Sequence, residues 1–171
     1  VHPKGLLDSE PADWLQTFAV NIHGPVHLTR LLARDLVRRG QPGSVMFVSS
    51  MHSEMTGGWP DYSATKAALT MVVKELALEL APDAIRVNAI APGWVAERHE
   101  RNANSFVHGP LGQSAIPPAF VARAAVYLSS AYFSAFTTGS VLKVDGGLSL
   151  RSYRTPAIPH FDDPHARRWR R

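Results

Sequence analysis

Two short runs, a nearly all-apolar one at 44–49 and a second at 85–90, constrain the fold of this chain most tightly. Each is shorter than a typical helix: Ile85 to Ile90 reads as a buried strand, and in the first run Val45, Met46, Phe47 and Val48 stand at consecutive rather than alternate positions. That pattern suits a strand covered on both faces, as in a parallel sheet. Between the runs lies a helical stretch from about Tyr62 to Leu80, stopped by Pro82, which lacks the N–H needed to continue it. A third apolar run at 141–144 follows another helical stretch opened by Pro118, with Phe120, Val121, Ala124, Ala125, Tyr127 and Leu128. Strands alternating with helices build parallel βαβ units, so the expected class is α/β, a doubly wound sheet with helices on both faces.

The N-terminal portion fits that alternation. Asp8 and Ser9 are N-cap types, Pro11 falls in a first turn, and Trp14, Leu15, Phe18, Ile22, Leu28, Leu31, Leu32 and Leu36 recur at helical spacing. Arg38, Arg39 and Gly40 mark a helix end, and Gln41, Pro42 and Gly43 a turn. Residues 50–61 read as a loop. Residues 91–117 have little periodicity, and a connection that long in a compact domain is usually functional. There are no internal repeats, and 171 residues make one domain at most.

Charge and cysteine content narrow the function classes. The chain has no Cys, which excludes disulfides, thiolate catalysis and cysteine-ligated zinc. The net charge of +4 resides in residues 151–171, whose six Arg outnumber two Asp; elsewhere 12 basic and 12 acidic residues cancel. A folded basic face for nucleic acid is therefore unsupported. Residues 151–171 read as a basic, flexible tail; its Arg167, Arg168, Arg170 and Arg171 are the only basis for an anion-binding module. His23 and His27 are four apart, but Gly24 and Pro25 disturb that face and no H-E-x-x-H pattern accompanies them, so no metal site is expected. No run of about 18 apolar residues suggests a membrane span. The opening Val1, His2, Pro3, Lys4 and Gly5 does not read as a signal peptide, and a cytoplasmic location is the expectation.

The chemistry concentrates at Tyr62-Ser63-Ala64-Thr65-Lys66. Residues four apart on a helix touch, so the ammonium of Lys66 lies beside the phenol of Tyr62. A nearby positive charge favours the phenolate, which makes the pair a proton donor and acceptor for an alcohol or carbonyl oxygen. With four Tyr and four Lys in the chain, the spacing alone is unspecific. Its surroundings raise the signal. A strand runs into Ser49-Ser50 before Tyr62; Val20-Asn21 precedes that strand; Arg86 to Gly93 follows the Tyr–Lys helix; Thr138-Gly139 and Val144-Asp145-Gly146-Gly147 come near the end.

In this order the motifs resemble the short-chain dehydrogenase/reductase family, over residues 1–150, with glucose dehydrogenase-like and 3-oxoacyl-carrier-protein reductase-like members both similar. The resemblance implies a Rossmann-type sheet, NAD or NADP as cofactor, interconversion of an alcohol with a ketone or aldehyde by hydride transfer, and a homo-oligomer, dimer or tetramer, built on the helices at 12–39 and 62–80. It implies catalytic roles for Asn21, Ser50, Tyr62 and Lys66. Tyr62 and Lys66, with Pro92, Gly93 and the Val95 backbone, would meet the cofactor; Ser50, His52 and Trp94 would meet the substrate. Trp59, Phe106 and His108 are further candidates for the substrate pocket. Counting back from Tyr62 by the family's usual separation lands on Ser49, whereas position within the strand-end pair favours Ser50. Pro25 has no N–H for the Asn21 carbonyl, which leaves that carbonyl open to a water in the family's proton path. Where the family often has Thr, this chain has Glu97, so no cofactor contact is carried over there.

No G-x-G-x-x-G or family-type T-G-x-x-x-G-x-G occurs. In a doubly wound nucleotide fold that turn follows the first strand and cradles the pyrophosphate. The expectation is a C-terminal, catalytic half lacking the first nucleotide-binding half, with a sheet edge exposed to aggregation. The competing expectation is a non-catalytic fragment that lacks cofactor binding and acts only in oligomerisation.

Overall fold

The computed structural model describes residues 4–96, 110–111 and 115–150. Three strands, β1 (Gly43–Val48), β2 (Ile85–Pro92) and β3 (Val141–Val144), form a parallel sheet in the order β1-β2-β3. The register pairs Val45 with Val87 and Val48 with Ile90, and on the other side Ala89 with Val141 and Pro92 with Val144. Helices α1 (Pro11–Phe18), α2 (Gly24–Arg38), α3 (Pro60–Leu80), α4 (Pro118–Ser129) and the short α5 (Ala131–Ser134) complete the described fold. No described helix is long and apolar enough to cross a membrane.

Side-chain alternation divides the helices between the two sheet faces. Val45, Phe47, Ile85, Val87 and Ala89 pack with Ala33 of α2 and Leu69, Val73 and Ala77 of α3. On the opposite face the polar members of the same strands reach α4 and α5. Ser44 Oγ donates to the Leu128 carbonyl, and the Arg86 guanidinium donates to the carbonyls of Leu128, Ser129 and Thr137 and to Ser134 Oγ. Asn88 Nδ2 donates to the Thr137 carbonyl while its Oδ1 accepts from Ser140 N–H, joining β2 to the start of β3. The doubly wound arrangement read from the sequence is the observed one.

Several local expectations are corrected. The N-terminal helix is not continuous: Ala19–His23 forms a π-helical turn between α1 and α2, in which Gly24 N–H bonds to the carbonyl of Ala19, five residues back. Pro25, one residue later, has no N–H to offer, and the wider turn accommodates that loss without a sharp break. α3 starts at Pro60, not Tyr62, because proline at the first helical position gives up an N–H that would have no partner anyway. The loop before it contains a 3-10 turn, Met51–Ser53. β2 is buried nearly throughout, but β1 is not covered on both faces, and Val48 is 54% exposed. β1 pairs only with β2 among the described residues. The apolar stripe of the first two helices is wider than the core uses: Ile22 and Leu36 pack inward, whereas Leu15, Leu28, Leu31 and Leu32 are exposed.

Candidate active site

The carboxyl ends of β1 and β2 and the first two turns of α3 bring most of the candidate residues together. β1 continues its pairing one residue past its end, with Ser49 N–H donating to the Ile90 carbonyl at 2.7 Å. Ser49 and Ser50 are both buried, and their hydroxyls are used differently. Ser49 Oγ donates to the backbone carbonyl of Lys66, 3.3 Å away, and so binds the strand end to α3. Ser50 Oγ accepts from His52 N–H at 3.2 Å, capping the 3-10 turn. An accepting hydroxyl keeps its own proton for another partner. This leaves Ser50, not Ser49, with a donor to spend on a ligand.

Tyr62 and Lys66 lie one helical turn apart, as their spacing requires, and Lys66 Nζ sits 5.5 Å from the centre of the Tyr62 ring. The ammonium is only 9% exposed as a residue and donates to the Val48 carbonyl at 2.9 Å. Burial holds the Lys66 pKa below its ordinary value, because desolvation disfavours the charged form. An ammonium has three donors, and Val48 takes one of them.

Asn21 lies in the π-helical turn, and its side chain has a task that the spacing did not reveal. Nδ2 donates to Thr65 Oγ1 at 3.0 Å, and Thr65 Oγ1 in turn donates to the Tyr62 carbonyl at 2.7 Å. One turn earlier on both helices, Thr17 Oγ1 donates to Asp61 Oδ2 at 2.7 Å. Asp61 is 4% exposed, and its other carboxylate oxygen has no hydrogen-bond partner among the described residues. Two polar links thus fasten the α1/π-turn segment to α3. Neither Thr17 nor Asp61 stood out in the sequence, because the link joins positions 44 residues apart.

His52 is enclosed by aromatic rings. Its imidazole stacks on Trp59 with centroids 5.0 Å apart and planes 5° from parallel, and meets Tyr62 edge-on at 5.5 Å and 75°. Nδ1 lies 3.2 Å from Ser63 Oγ. Burial lowers the His52 pKa, so the ring is neutral at pH 7.

The segment after β2 is held by β3 and by residues just before α4. Gly93 N–H donates to the Val144 carbonyl, Ile116 N–H donates to the Trp94 carbonyl, and Val95 forms a parallel bridge with Ile116. Trp94 and Val95 are exposed. Gly93 passes close behind Asp145, whose carboxylate accepts from the N–H groups of Gly147 and Ser149 at 2.9 Å each. Burial raises the Asp145 pKa, but these hydrogen bonds and the charge of Lys143 outweigh it and hold the carboxyl below its ordinary value. Lys143 itself pairs with Glu54, tying β3 to the loop after the serines. Glu97, Phe106, His108 and residues 151–171 lie outside the described residues.

Comparison with known proteins adds three kinds of likeness. A family model described as Enoyl-(Acyl carrier protein) reductase matches residues 1–149. The galactitol 2-dehydrogenase (L-tagatose-forming) of Cereibacter sphaeroides is 34% identical over 155 residues, covering 84% of this chain and 60% of that protein. The L-xylulose reductase of Mesocricetus auratus is 38% identical over 140 residues, 77% of this chain and 57% of the relative. A short-chain type dehydrogenase/reductase of Sinorhizobium fredii is 33% identical over 161 residues, 86% and 61% respectively. Among solved structures, a 3-oxoacyl-[acyl-carrier protein] reductase with bound NAD from Brucella melitensis has a TM-score of 0.78 at 33% identity, over 87% of this chain and 56% of that one. A protein assigned as a 2-deoxy-D-gluconate 3-dehydrogenase with bound NADP, from Agrobacterium tumefaciens, has a TM-score of 0.79 at 30% identity, over 88% and 64%. The chain therefore spans less than two thirds of the length of each of these proteins.

Proposed function

The chain belongs to the short-chain dehydrogenase/reductase family, and on that premise we propose that it carries the proton-transfer half of an NAD- or NADP-dependent oxidoreductase that interconverts an alcohol and a ketone or aldehyde. The observation that carries this reading is the buried Lys66 ammonium 5.5 Å from the Tyr62 ring, beside a strand end whose Ser50 hydroxyl keeps a free proton.

The residues present fit one end of a dinucleotide. Lys66 is a buried cation with donors to spare for ribose hydroxyls, and Pro92, Gly93 and the Val95 backbone form the edge that would face the nicotinamide. The pyrophosphate fingerprint is absent from this sequence. When bound, the nicotinamide supplies or accepts the hydride. In reduction, Tyr62 donates its phenolic proton to the substrate oxygen; in oxidation, it takes the alcohol proton. Lys66 favours the phenolate through its charge. Ser50 donates to the substrate oxygen and fixes its position. Asn21 acts through Thr65, holding the turn of α3 that carries Tyr62. The exposed Trp94 walls the substrate side.

The names of two relatives, a galactitol dehydrogenase and an L-xylulose reductase, support a polyol and its ketose as first substrates to assay. The exposed Leu28, Leu31 and Leu32 of α2 with Met71 and Leu78 of α3 support a homo-oligomer that covers them. The test is Tyr62→Phe in the whole protein, which preserves ring packing and removes the proton. The expected loss in kcat is about 100-fold or more, with unchanged circular dichroism. Retention of most of the activity would overturn the mechanism.

A further inference from the structure

The Tyr62 hydroxyl makes no hydrogen bond among the described residues, so its placement depends on what touches its ring. We propose that the stacked Trp59–His52 pair is a positioning device that clamps the Tyr62 ring against Lys66 and so sets where the phenolic proton is delivered. This deepens the reading above and rests on Tyr62 being the acid/base.

His52 is unusually well fixed for a loop residue. Its backbone N–H bonds to Ser50 Oγ, its Nδ1 faces Ser63 Oγ, and one face of its ring lies flat on Trp59. Gly57 passes so close that an added Cβ would fall 1.9 Å from Cε1, 2.8 Å from Nδ1 and 2.9 Å from Nε2. No side chain fits between the loop and the imidazole, and glycine is what permits the approach. The imidazole and indole planes both stand nearly perpendicular to the Tyr62 ring, at 75° and 76°. Edge-to-face contacts of this kind are favoured by the aromatic quadrupole. The Tyr62 ring therefore has an ammonium on one side and a pair of rings on another; rotating it about its Cα–Cβ bond would break one contact or collide with the other. A neutral imidazole adds no second cation to the Tyr62–Lys66 pair.

In sequence this device is interleaved with the proposed catalytic residues. His52 lies two residues after Ser50, Trp59 is the residue before α3 begins, and Ser63 follows Tyr62 directly. The loop that joins the two catalytic elements thus carries its own brace for one of them.

The test reads ring orientation without requiring activity. Tyrosine-labelled chain is studied by NMR, with Tyr62 assigned from Tyr62→Phe, and three-bond couplings about its Cα–Cβ bond are measured. The wild type should report one rotamer. His52→Ala and Trp59→Ala should each average the couplings, whereas Trp59→Phe, which keeps a ring to stack, should retain the single rotamer. If one alanine variant fails to fold, the other gives the same reading. Averaged couplings in the wild type, or a single rotamer in a folded alanine variant, would overturn the proposal. In the whole protein, His52→Ala should lower kcat about tenfold or more with KM nearly unchanged, since misplacing a reacting group acts on the chemical step. A raised KM with unchanged kcat would assign His52 to substrate contact and refute the clamp. Loss of activity in none of the variants, Tyr62→Phe included, would instead remove the catalytic premise while leaving the coupling data to stand alone.

Discussion

Gly93→Ala isolates a packing constraint at the edge proposed to face the nicotinamide. Gly93 does not adopt a positive φ, so alanine meets no backbone strain there. The added Cβ would, however, fall 2.8 Å from Asp145 Cα, 3.1 Å from Asp145 Cβ and 3.2 Å from its carbonyl oxygen. Two of those three atoms are backbone, and Asp145 is anchored by the N–H groups of Gly147 and Ser149. Relief must come from moving the chain after β2 away from the chain after β3, which strains the Gly93 N–H to Val144 carbonyl bond of 3.0 Å. Overpacking of this kind costs about 1–3 kcal/mol. For a domain of this size each kcal/mol lowers Tm by about 2–4 °C, so a fall of about 2–12 °C is expected in thermal melts followed by circular dichroism. NADH titration of the same variant, followed by nicotinamide fluorescence, should show weaker binding than the parent shows. Gly40→Ala is the control: its φ of 60° costs alanine about 1 kcal/mol, but nothing lies within 4 Å of the added Cβ and the site is remote. A Gly93→Ala protein melting within about 1 °C of the parent would refute the claim that this contact is tight.

Thr17→Val should destabilise the chain by about 2–3 kcal/mol in urea unfolding, because it leaves both oxygens of the buried Asp61 carboxylate without a hydrogen bond among the described residues. Adding Asp61→Leu should return part of that loss; a double variant weaker than Thr17→Val alone would show that the Thr17–Asp61 link is not the cause. His52 gives a pH signature. Its pKa in the folded chain lies below the unfolded value of about 6.5, so the unfolded state binds the extra proton first and stability falls as pH drops through that value. The fall levels off below the folded pKa. His52→Gln should flatten this part of the urea midpoint profile between about pH 7.5 and 5, and superimposable profiles would refute the assignment.

Features set by local pattern were legible in the sequence. The three strands, the Tyr62–Lys66 turn and the serine-ended strand all depend on neighbours within a few residues, and each stands where the spacing put it. What depends on distant contacts was not. Spacing placed Asn21 in a helix near Pro25 and drew attention to its carbonyl, but its side-chain bond to Thr65 required the packing of two helices. The proline was readable as a disturbance, yet not as a five-residue turn, because only the tertiary position of α2 selects that solution. The leucines at 15, 28, 31 and 32 fit a core-facing stripe and are exposed, since periodicity marks an apolar face without saying what covers it. Ser49 and Ser50 were indistinguishable by residue type; their hydroxyl partners, the Lys66 carbonyl and the His52 N–H, separate them.

The two polar links between the α1/π-turn segment and α3 share a geometry that bears on the Tyr62–Lys66 pair. Thr17 and Asn21 are four apart, Asp61 and Thr65 are four apart, and each bond joins residues separated by 44 positions. Apolar packing alone tolerates a helix sliding or rotating slightly against its neighbour, because hydrophobic contact is non-directional. Two hydrogen bonds one turn apart do not: sliding either helix by a residue would break both and leave a buried carboxylate unpaired. Tyr62 and Lys66 occupy the positions immediately after Asp61 and Thr65, so they inherit this register. The link residues fix the rotation of α3 about its axis, and that rotation decides whether the phenol and the ammonium point to the ends of β1 and β2 or away from them. A carboxylate buried at 4% exposure is a costly way to stabilise a helix contact. It is an effective way to specify one, and the residue it specifies is the one proposed to move the proton.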